Sequence, residues 1–174
     1  EQTTNITTNN NTTNNFNINV FLNETCKDAM NLQDFIAGIQ SKLQDLDTMK
    51  DVGYVECVTQ IFVNGLKQLD HTKRPLHCSD VKRETLYIKD DNLWEKDNNK
   101  EKLSKAVSSV TRKTLQQLPL WMRNHPECST AGSTDNKEYH SLIQNTMNHN
   151  TINNKKKVMK NIMKEVVIEK EKEK

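Results

Sequence analysis

The stretch RPLHCSDVKRETLYIKDDNLWEK, residues 74–96, decides the fold because it interrupts a chain that is otherwise dominated by helical patterns. Pro75 ends any preceding helix. Residues 86–89 and 93–96 are short extended runs, and the Asp-Asp-Asn sequence at 90–92 between them suits a tight turn. We therefore predict an antiparallel β-hairpin, with the RPLHC run as a candidate third strand.

Segments on both sides of this stretch repeat apolar residues at helical spacing, which predicts amphipathic helices. The first two are separated by only a few residues, so they should pack antiparallel as an αα-hairpin. Pro119 kinks or ends the third helix, and the polar residues 124–136 are predicted to form a loop. The predicted helices cover residues 31–49, 52–69, 100–118, 137–147 and 155–168.

The N-terminal part of the chain predicts a strand. Residues 16–23, FNINVFLN, alternate apolar and polar side chains, which is typical of a strand with one buried face. A single strand is not stable alone, so it has to pair within the domain or with another copy of the chain. Residues 1–15 are rich in Asn and Thr and form either a linker or a β-stem stacked between chains. The apolar side of the strand is our hypothesis for an oligomer interface: Phe16, Ile18, Val20 and Leu22.

The composition limits the size of the core. The 174 residues are 33% hydrophobic and 28% charged, which is too polar for one compact core of that length. We predict a linker or β-stem at 1–15, a single α+β, mainly helical domain at 16–169, and a charged tail at 170–174. The net charge of +2 excludes a strong overall field for nucleic acid or anionic lipid, and no apolar run is long enough to span a membrane.

The cysteine and histidine pattern does not favour a metal site. The residues that could supply zinc ligands are Cys57, His71, His77 and Cys78. His77 and Cys78 are adjacent in a predicted strand and point to opposite faces, whereas zinc sites use paired ligands two to four residues apart. The four cysteines of the chain include no CxxC pair and are predicted to be free thiols. We predict no metal and no cofactor.

Two catalytic hypotheses have weak support. Asp80, Lys82 and Glu84 are the residue types of a divalent-metal nuclease, but they lack the order and spacing of a restriction-type site. A nucleophilic cysteine would need a histidine and an orienting carboxylate. His125 lies three residues before Cys128 in a polar loop, and nothing indicates a cleft there.

Basic and aromatic residues cluster around the predicted hairpin. Our candidates for nucleic-acid or partner contact are Lys73, Arg74, Lys82, Arg83, Tyr87, Lys89 and Trp94. The order helix, helix, hairpin resembles the outline of a winged helix, whose wing contacts phosphates. Interleaved acidic residues such as Asp90 and Asp91 cancel much of this charge. A second basic run, residues 155–157 with Lys160 and Lys164, opens the last helix, where the helix dipole disfavours cations. It is either a solvated face or the contact surface of an anionic partner.

The phrases NVFLNETCKDAMN, DVGYVE and KRPLHCSDVKRETLYIKDDNLWEKD, followed by KEVVIEK, resemble a domain that recurs in proteins of Mimivirus-like giant viruses. The resemblance covers roughly residues 14–169. In that family the domain often lies at the C-terminus, downstream of a zinc-finger segment and a coiled coil or Asn-rich linker. The resemblance brings no catalytic motif. It implies a viral protein in the cytoplasmic viral factory of the infected cell or in the virion.

The low apolar fraction, the unpaired strand and the amphipathic helices at both ends favour assembly between copies of the chain. We therefore predict a non-enzymatic homo-oligomerisation or interaction module, which in the family architecture would multimerise an upstream DNA-binding segment. Direct nucleic-acid binding through residues 73–96 is the alternative, and a metal-dependent nuclease is a remote one. We predict neither a membrane partner nor a small-molecule substrate.

Overall fold

The computed structural model of the protein describes residues 16–147 and 151–169. In these ranges helices surround one small antiparallel sheet, so the predicted α+β, mainly helical fold is confirmed. The predictions for residues 1–15 and 170–174 lie outside the described ranges. The helices are α1 (Ile18–Val20), which continues into a π-helical turn (Phe21–Thr25), α2 (Leu32–Gly38), α3 (Leu43–Val52), α4 (Tyr54–Lys67), α5 (Glu101–Leu115), α6 (Leu118–Asn124), α7 (Thr134–Met147) and α8 (Ile152–Glu165). None of these helices has the length and apolarity needed to cross a membrane.

The sheet confirms the predicted hairpin and its third strand. Strands β1 (Leu76–Asp80), β2 (Thr85–Asp90) and β3 (Leu93–Lys96) pair antiparallel in that order. Asp91 and Asn92 connect β2 to β3 with positive φ angles of 47° and 62°. This is the conformation of a tight two-residue hairpin loop, in which Asp and Asn are favoured.

The C-terminal residues cover the outer edge of β1. The Cys78 N–H donates to the Val166 carbonyl at 2.8 Å, and the Ile168 N–H donates to the Cys78 carbonyl at 2.9 Å. A parallel bridge between Cys78 and Val167 results. The last helix therefore ends at Glu165 and not at residue 168, because the residues that follow pair with an otherwise open sheet edge.

The hydrophobic core lies between the inner face of the sheet and the helices. The fully buried inward side chains of the sheet are Leu76, Cys78, Leu86 and Ile88. Trp121 is fully buried as well, and its indole N–H donates to the Asp47 carboxylate at 3.2 Å. Pro119 sits in the first turn of α6, so it begins a new helix after α5 ends. The buried Trp121 anchors α6, a helix that the sequence did not predict, although it did predict a core position for Trp121.

The prediction of one helix over residues 31–49 is wrong, because the chain breaks between α2 and α3. Ile39 has an extended backbone, with φ −67° and ψ 120°, directly after Gly38, the weakest helix former of the segment. The Lys113 ammonium of α5 donates to three carbonyl oxygens around this break, at 2.6, 2.9 and 3.1 Å. These bonds satisfy acceptors that a helix end leaves without partners.

The predicted αα-hairpin is formed by α3 and α4, which pack against each other. Gly53 joins them with a φ of 86°, a left-handed conformation that favours glycine. The Asn145 side chain of α7 donates to the carbonyl oxygens of Met49 and Lys50 at 3.1 and 3.2 Å, which ties the end of α3 to α7. The hairpin is thus as predicted, with a shorter first arm.

The predicted strand at residues 16–23 is wrong, because this segment is helical. The Asn17 side-chain oxygen accepts hydrogen bonds from the backbone N–H groups two and three residues later, at 3.0 and 3.3 Å, and so caps α1. Helical geometry turns Leu22 into the protein and leaves Phe16 and Val20 exposed. The segment lies against the outer face of the sheet, as the contacts below show, so it does not need a strand partner.

Candidate anion-binding surface

The residues predicted to contact nucleic acid do not form one surface. Lys73 and Arg74 precede β1, whereas Lys82 and Arg83 follow it. A strand of five residues is about 16 Å long, so the two basic pairs lie at opposite ends of β1. Asp80 accepts a hydrogen bond from the Arg83 N–H at 3.0 Å, and its carboxylate also lies 3.8 Å from the Arg83 guanidinium. Asp80 therefore caps this turn.

Two of the predicted residues bind the N-terminal segment, which we define as residues 16–31. Lys89 is 7% exposed, and its ammonium donates to the Lys27 carbonyl at 2.6 Å. The Trp94 indole N–H donates to the Cys26 carbonyl at 3.3 Å. These donors hold the segment on the outer face of the sheet, so they are not free to bind a phosphate.

The remaining predicted residues are partly engaged. Lys73 pairs with Asp28 of the N-terminal segment at 3.8 Å. Arg74 is partly buried, and Tyr87 is half-buried opposite His77 in the sheet. The hairpin thus leaves Lys73, Lys82 and Arg83 exposed, and it does not gather them at one place.

His77 forms the centre of an aromatic cluster on the outer face of the sheet. It is fully buried, and its ring centroid lies 5.1 Å from that of Phe21 and 4.8 Å from that of His71. Burial, together with the nearby positive groups His71 and Arg74, lowers the pKa of His77 to about 3. The Cys26 sulfur lies 3.6 Å from Nε2 of His77, and burial raises the pKa of this thiol to about 11. The pair is therefore a neutral contact and not a thiolate–imidazolium pair.

Sequence reasoning did not connect Cys26 with His77. They are 51 positions apart, and only the helical N-terminal segment brings them together. No spacing rule of a metal or catalytic motif would have signalled this contact.

The structure does not assemble the other candidate sites. Cys57 donates its S–H to the Asp45 carbonyl of α3 at 3.2 Å, so its hydrogen-bond partner is neither His71 nor His77. The His125 ring stacks on Trp121 at 3.8 Å and its Nδ1 lies 2.8 Å from the Trp121 carbonyl, so it is not directed at Cys128. Across residues 16–147 and 151–169, no three His, Cys, Asp or Glu side chains are placed to hold a metal ion.

The basic run near the C-terminus, in contrast, forms a continuous exposed stripe on α8. Its members follow one another at helical spacing of three and four residues: Asn153, Lys156, Lys157, Lys160 and Lys164. We call the four lysines the lysine face. Their ammonium groups form no hydrogen bond or ion pair with any residue that the structure describes. The lysine face spans about 12 Å along the helix axis and carries no carboxylate.

A groove of about 460 Å³ opens beside the lysine face. Lys156, Lys157 and Lys160 line it from α8, and Lys100 lines it from the loop before α5. Glu84 is its one acidic lining residue among the described ones. A concave surface with four cations and one carboxylate has a positive potential, which attracts anions.

Helix α5 adds further cations that sequence reasoning missed. Lys105 and Arg112 are exposed two turns apart, and no described residue pairs with either side chain. The start of α8 lies beside the second half of α5, and Lys155 donates to the Ser108 hydroxyl at 2.6 Å. Later turns of α8 lie beside Lys100, so the two helices run antiparallel. The exposed i, i+7 spacing of Lys105 and Arg112 was readable in the sequence, but their proximity to α8 was not.

A larger groove of about 640 Å³ between α2, α3 and α4 has a different character. Amide side chains such as Gln60 and Asn64 line it above an apolar floor that includes Phe35. Its acidic residue Asp45 accepts a hydrogen bond from the Lys42 backbone N–H at 2.6 Å. This groove therefore lacks the concentration of like charges found beside α8.

Comparison with protein-family models, with curated proteins and with solved structures finds no match to this chain. The fold and the surface define the protein as a mainly helical α+β domain with a pair of adjacent basic helices, α5 and α8. Its function therefore has to be argued from the geometry of that pair.

Proposed function

We propose that this domain binds the phosphate backbone of a nucleic acid through the lysine face of α8 and the groove beside it. One observation carries the proposal: four lysines lie on one exposed helix face, without a carboxylate and without a partner among the described residues. The phosphate backbone of a nucleic acid is a common polyanion. Its binding to such a row of lysines is favourable because each lysine–phosphate contact releases a condensed counterion.

The lysine face is unfavourable for the helix that carries it. Lys156 and Lys160, and Lys160 and Lys164, are like charges at i, i+4, which repel each other across one helical turn. Lys157 and Lys160 are like charges at i, i+3 on the same face and repel each other as well. A bound anion would reduce these repulsions between lysine side chains. Ordinary solvated helix faces avoid them by alternating acidic and basic residues.

Two other lysines of the chain differ from these four. Lys89 and Lys113 donate their ammonium hydrogens to backbone carbonyl oxygens within the fold. They act as structural donors, so their ammonium hydrogens are already engaged within the fold. The proposal therefore moves the nucleic-acid contact from the hairpin at residues 73–96, where the sequence placed it, to α8.

Titration of a fluorescent DNA duplex by anisotropy, at 50 and 200 mM salt, tests the proposal. Contact with three phosphates gives a slope of log K against log salt near −2.7 and weakens binding about fortyfold over this range. Lys156→Ala with Lys160→Ala should make the slope shallower by about 2. The matched control is Lys27→Ala with Lys137→Ala, which removes the same charge from exposed positions elsewhere. Binding that ignores salt, or equal effects of the two double variants, would contradict the proposal.

Homo-oligomerisation remains a second proposal, with narrower support than the sequence indicated. Leu22 is buried and Ile18 is half-buried inside the chain, so the predicted interface reduces to Phe16 and Val20. These two are 40% and 45% exposed and lie one helical turn apart. Sedimentation velocity at micromolar concentration should show a species larger than a monomer, and Val20→Glu should dissociate it. A monomeric native protein would rule this proposal out.

A further inference from the structure

A second cavity, of about 590 Å³, lies between the start of α4, the second half of α5 and the start of α8. Seven polar side chains line it: Tyr54, Ser108, Thr111, Arg112, Gln116, Thr151 and Lys155. It is separate from the groove beside the lysine face, since the two share no lining residue. Its volume is within the range of ordinary small-ligand sites.

The charges around this cavity do not balance. Arg112 and Lys155 line it, and none of the described lining residues is acidic. The Arg112 guanidinium has no hydrogen bond or ion pair within residues 16–147 and 151–169. Lys155 has a neutral partner, the Ser108 hydroxyl, at 2.6 Å. Two cations that line one concave site without a counter-ion favour an anion there.

The hydrogen bonds of the hydroxyl groups in the cavity decide which of them can donate to a ligand. The Ser108 oxygen accepts from Lys155, which leaves its O–H hydrogen free to donate to a ligand. The Thr111 hydroxyl donates to the Val107 carbonyl at 2.9 Å and lies 3.3 Å from the Tyr54 hydroxyl. Thr111 and Tyr54 therefore support the cavity wall, while Ser108, Lys155 and Arg112 offer donors to its interior.

We propose that this cavity binds a phosphate monoester. The planar fork of Arg112 suits two phosphate oxygens, and Lys155 and Ser108 add a point charge and a hydroxyl donor. The cavity is larger than a phosphate group, so the rest of the ligand also lies within it. The polar lining, with Gln116 at one side, suits a hydroxylated body such as a sugar. The phosphate belongs either to a free sugar phosphate or to the 5′ end of a nucleic-acid strand.

This site does not depend on the proposed function, because it uses none of the four lysines of the lysine face. The two can therefore fail separately. Variants at Lys156 and Lys160 test backbone binding, and variants at Arg112 test the cavity.

Calorimetric titration of the purified protein with ribose 5-phosphate and with ribose tests the site. Ribose 5-phosphate should bind and ribose should not. Arg112→Ala should weaken the binding about tenfold to hundredfold, and Arg112→Lys should restore part of it, because a lysine keeps the charge but loses the bidentate fork. Arg112 is exposed, so the variant should melt at the wild-type temperature.

A parallel titration compares oligonucleotides with a 5′-phosphate and with a 5′-hydroxyl. If only the sugar phosphate shows Arg112-dependent binding, the ligand is a small phosphate ester. If only the phosphorylated oligonucleotide shows it, the ligand is a nucleic-acid end. Absence of phosphate-dependent binding in both arms, or binding that is lost equally in Lys156→Ala with Lys160→Ala, would overturn the proposal.

Discussion

Acidification should destabilise this protein through His77, and the sign follows from the direction of its pKa shift. Burial, His71 and Arg74 lower the pKa of His77 from the ordinary 6.5 to about 3 in the folded state. The unfolded chain therefore binds more protons than the folded chain between these two values. Stability is fully present above pH 6.5, decreases as the pH falls below it, and stops decreasing near pH 3.

The magnitude follows from the same two values. At pH 5 the unfolded histidine is almost fully protonated and the folded one is neutral, which corresponds to a loss of about 2 kcal/mol relative to pH 8. The loss approaches about 5 kcal/mol near pH 3. Desolvation lowers the pKa of His71 as well, so its contribution has the same sign. Unperturbed carboxyl groups titrate below about pH 4.5, so the interval from pH 8 to 5 isolates the histidines.

Urea unfolding followed by tryptophan fluorescence at pH 8, 7, 6 and 5 measures this loss. His77→Phe keeps an aromatic ring beside Phe21 and removes the titrating group, so its stability should vary by about 2 kcal/mol less than that of the wild type over this interval. His140→Gln is the matched control, because His140 is exposed on α7. If His77→Phe retains the wild-type pH dependence, the assignment of the acid sensitivity to His77 is wrong.

Three further predictions concern stability, and urea unfolding measures each of them. At the start of α5, the Asp97 carboxylate accepts hydrogen bonds from the backbone N–H groups of Lys102 and Leu103 at 3.3 and 3.0 Å. Asp97→Ala should therefore lower the free energy of unfolding by about 1–2 kcal/mol, and Asp97→Asn by less. Equal stabilities of the two variants would contradict this capping role. Lys113→Met removes the donor to three carbonyls at the end of α2 and should cost about 1–3 kcal/mol. An unchanged midpoint would contradict this role of Lys113. Leu86→Ala should cost about 2–5 kcal/mol because this side chain is fully buried, whereas Leu93→Ala, at 69% exposed, should be close to neutral.

The sequence predicted the parts of the fold that local chemistry determines. The Asp-Asp-Asn turn specifies the β2–β3 loop because Asp91 and Asn92 tolerate the positive φ angles that it requires. The αα-hairpin was predictable because two long apolar stripes are separated by a glycine. These signals act within a few residues, so one sequence is enough to read them.

The N-terminal segment was mispredicted because two periodicities fit its eight residues. Apolar residues at 16, 18, 20 and 22 alternate as in a strand, but Phe21 adds an apolar side chain that the alternation does not include. The Asn17 cap favours the helix, and the packing of this segment on the sheet stabilises it further. In so short a segment tertiary contacts decide between the two, and sequence patterns do not show them.

The candidate site was only half predictable for a related reason. The lysines of α8 lie close together in the sequence, so their clustering is visible there. Lys100 and Arg112 lie more than forty positions earlier, and only the packing of the fold places them beside α8. A count of lysines also overstates the number of ammonium groups that the hairpin region offers to a partner. Lys89 donates to a backbone carbonyl and is buried, so it stabilises the N-terminal segment.

Exposed and structural lysines therefore have to be separated before charge is used to infer function. The ammonium of Lys89 has a fixed acceptor inside the fold, so moving it to a phosphate would leave the Lys27 carbonyl without that partner. The four lysines of the lysine face have no such acceptor among the described residues, so they can bind an anion without breaking a contact. We therefore expect an anionic partner to bind more favourably at α8 than at the hairpin. The net charge of only +2 does not oppose such a face, because four of the lysines lie together on one side of α8.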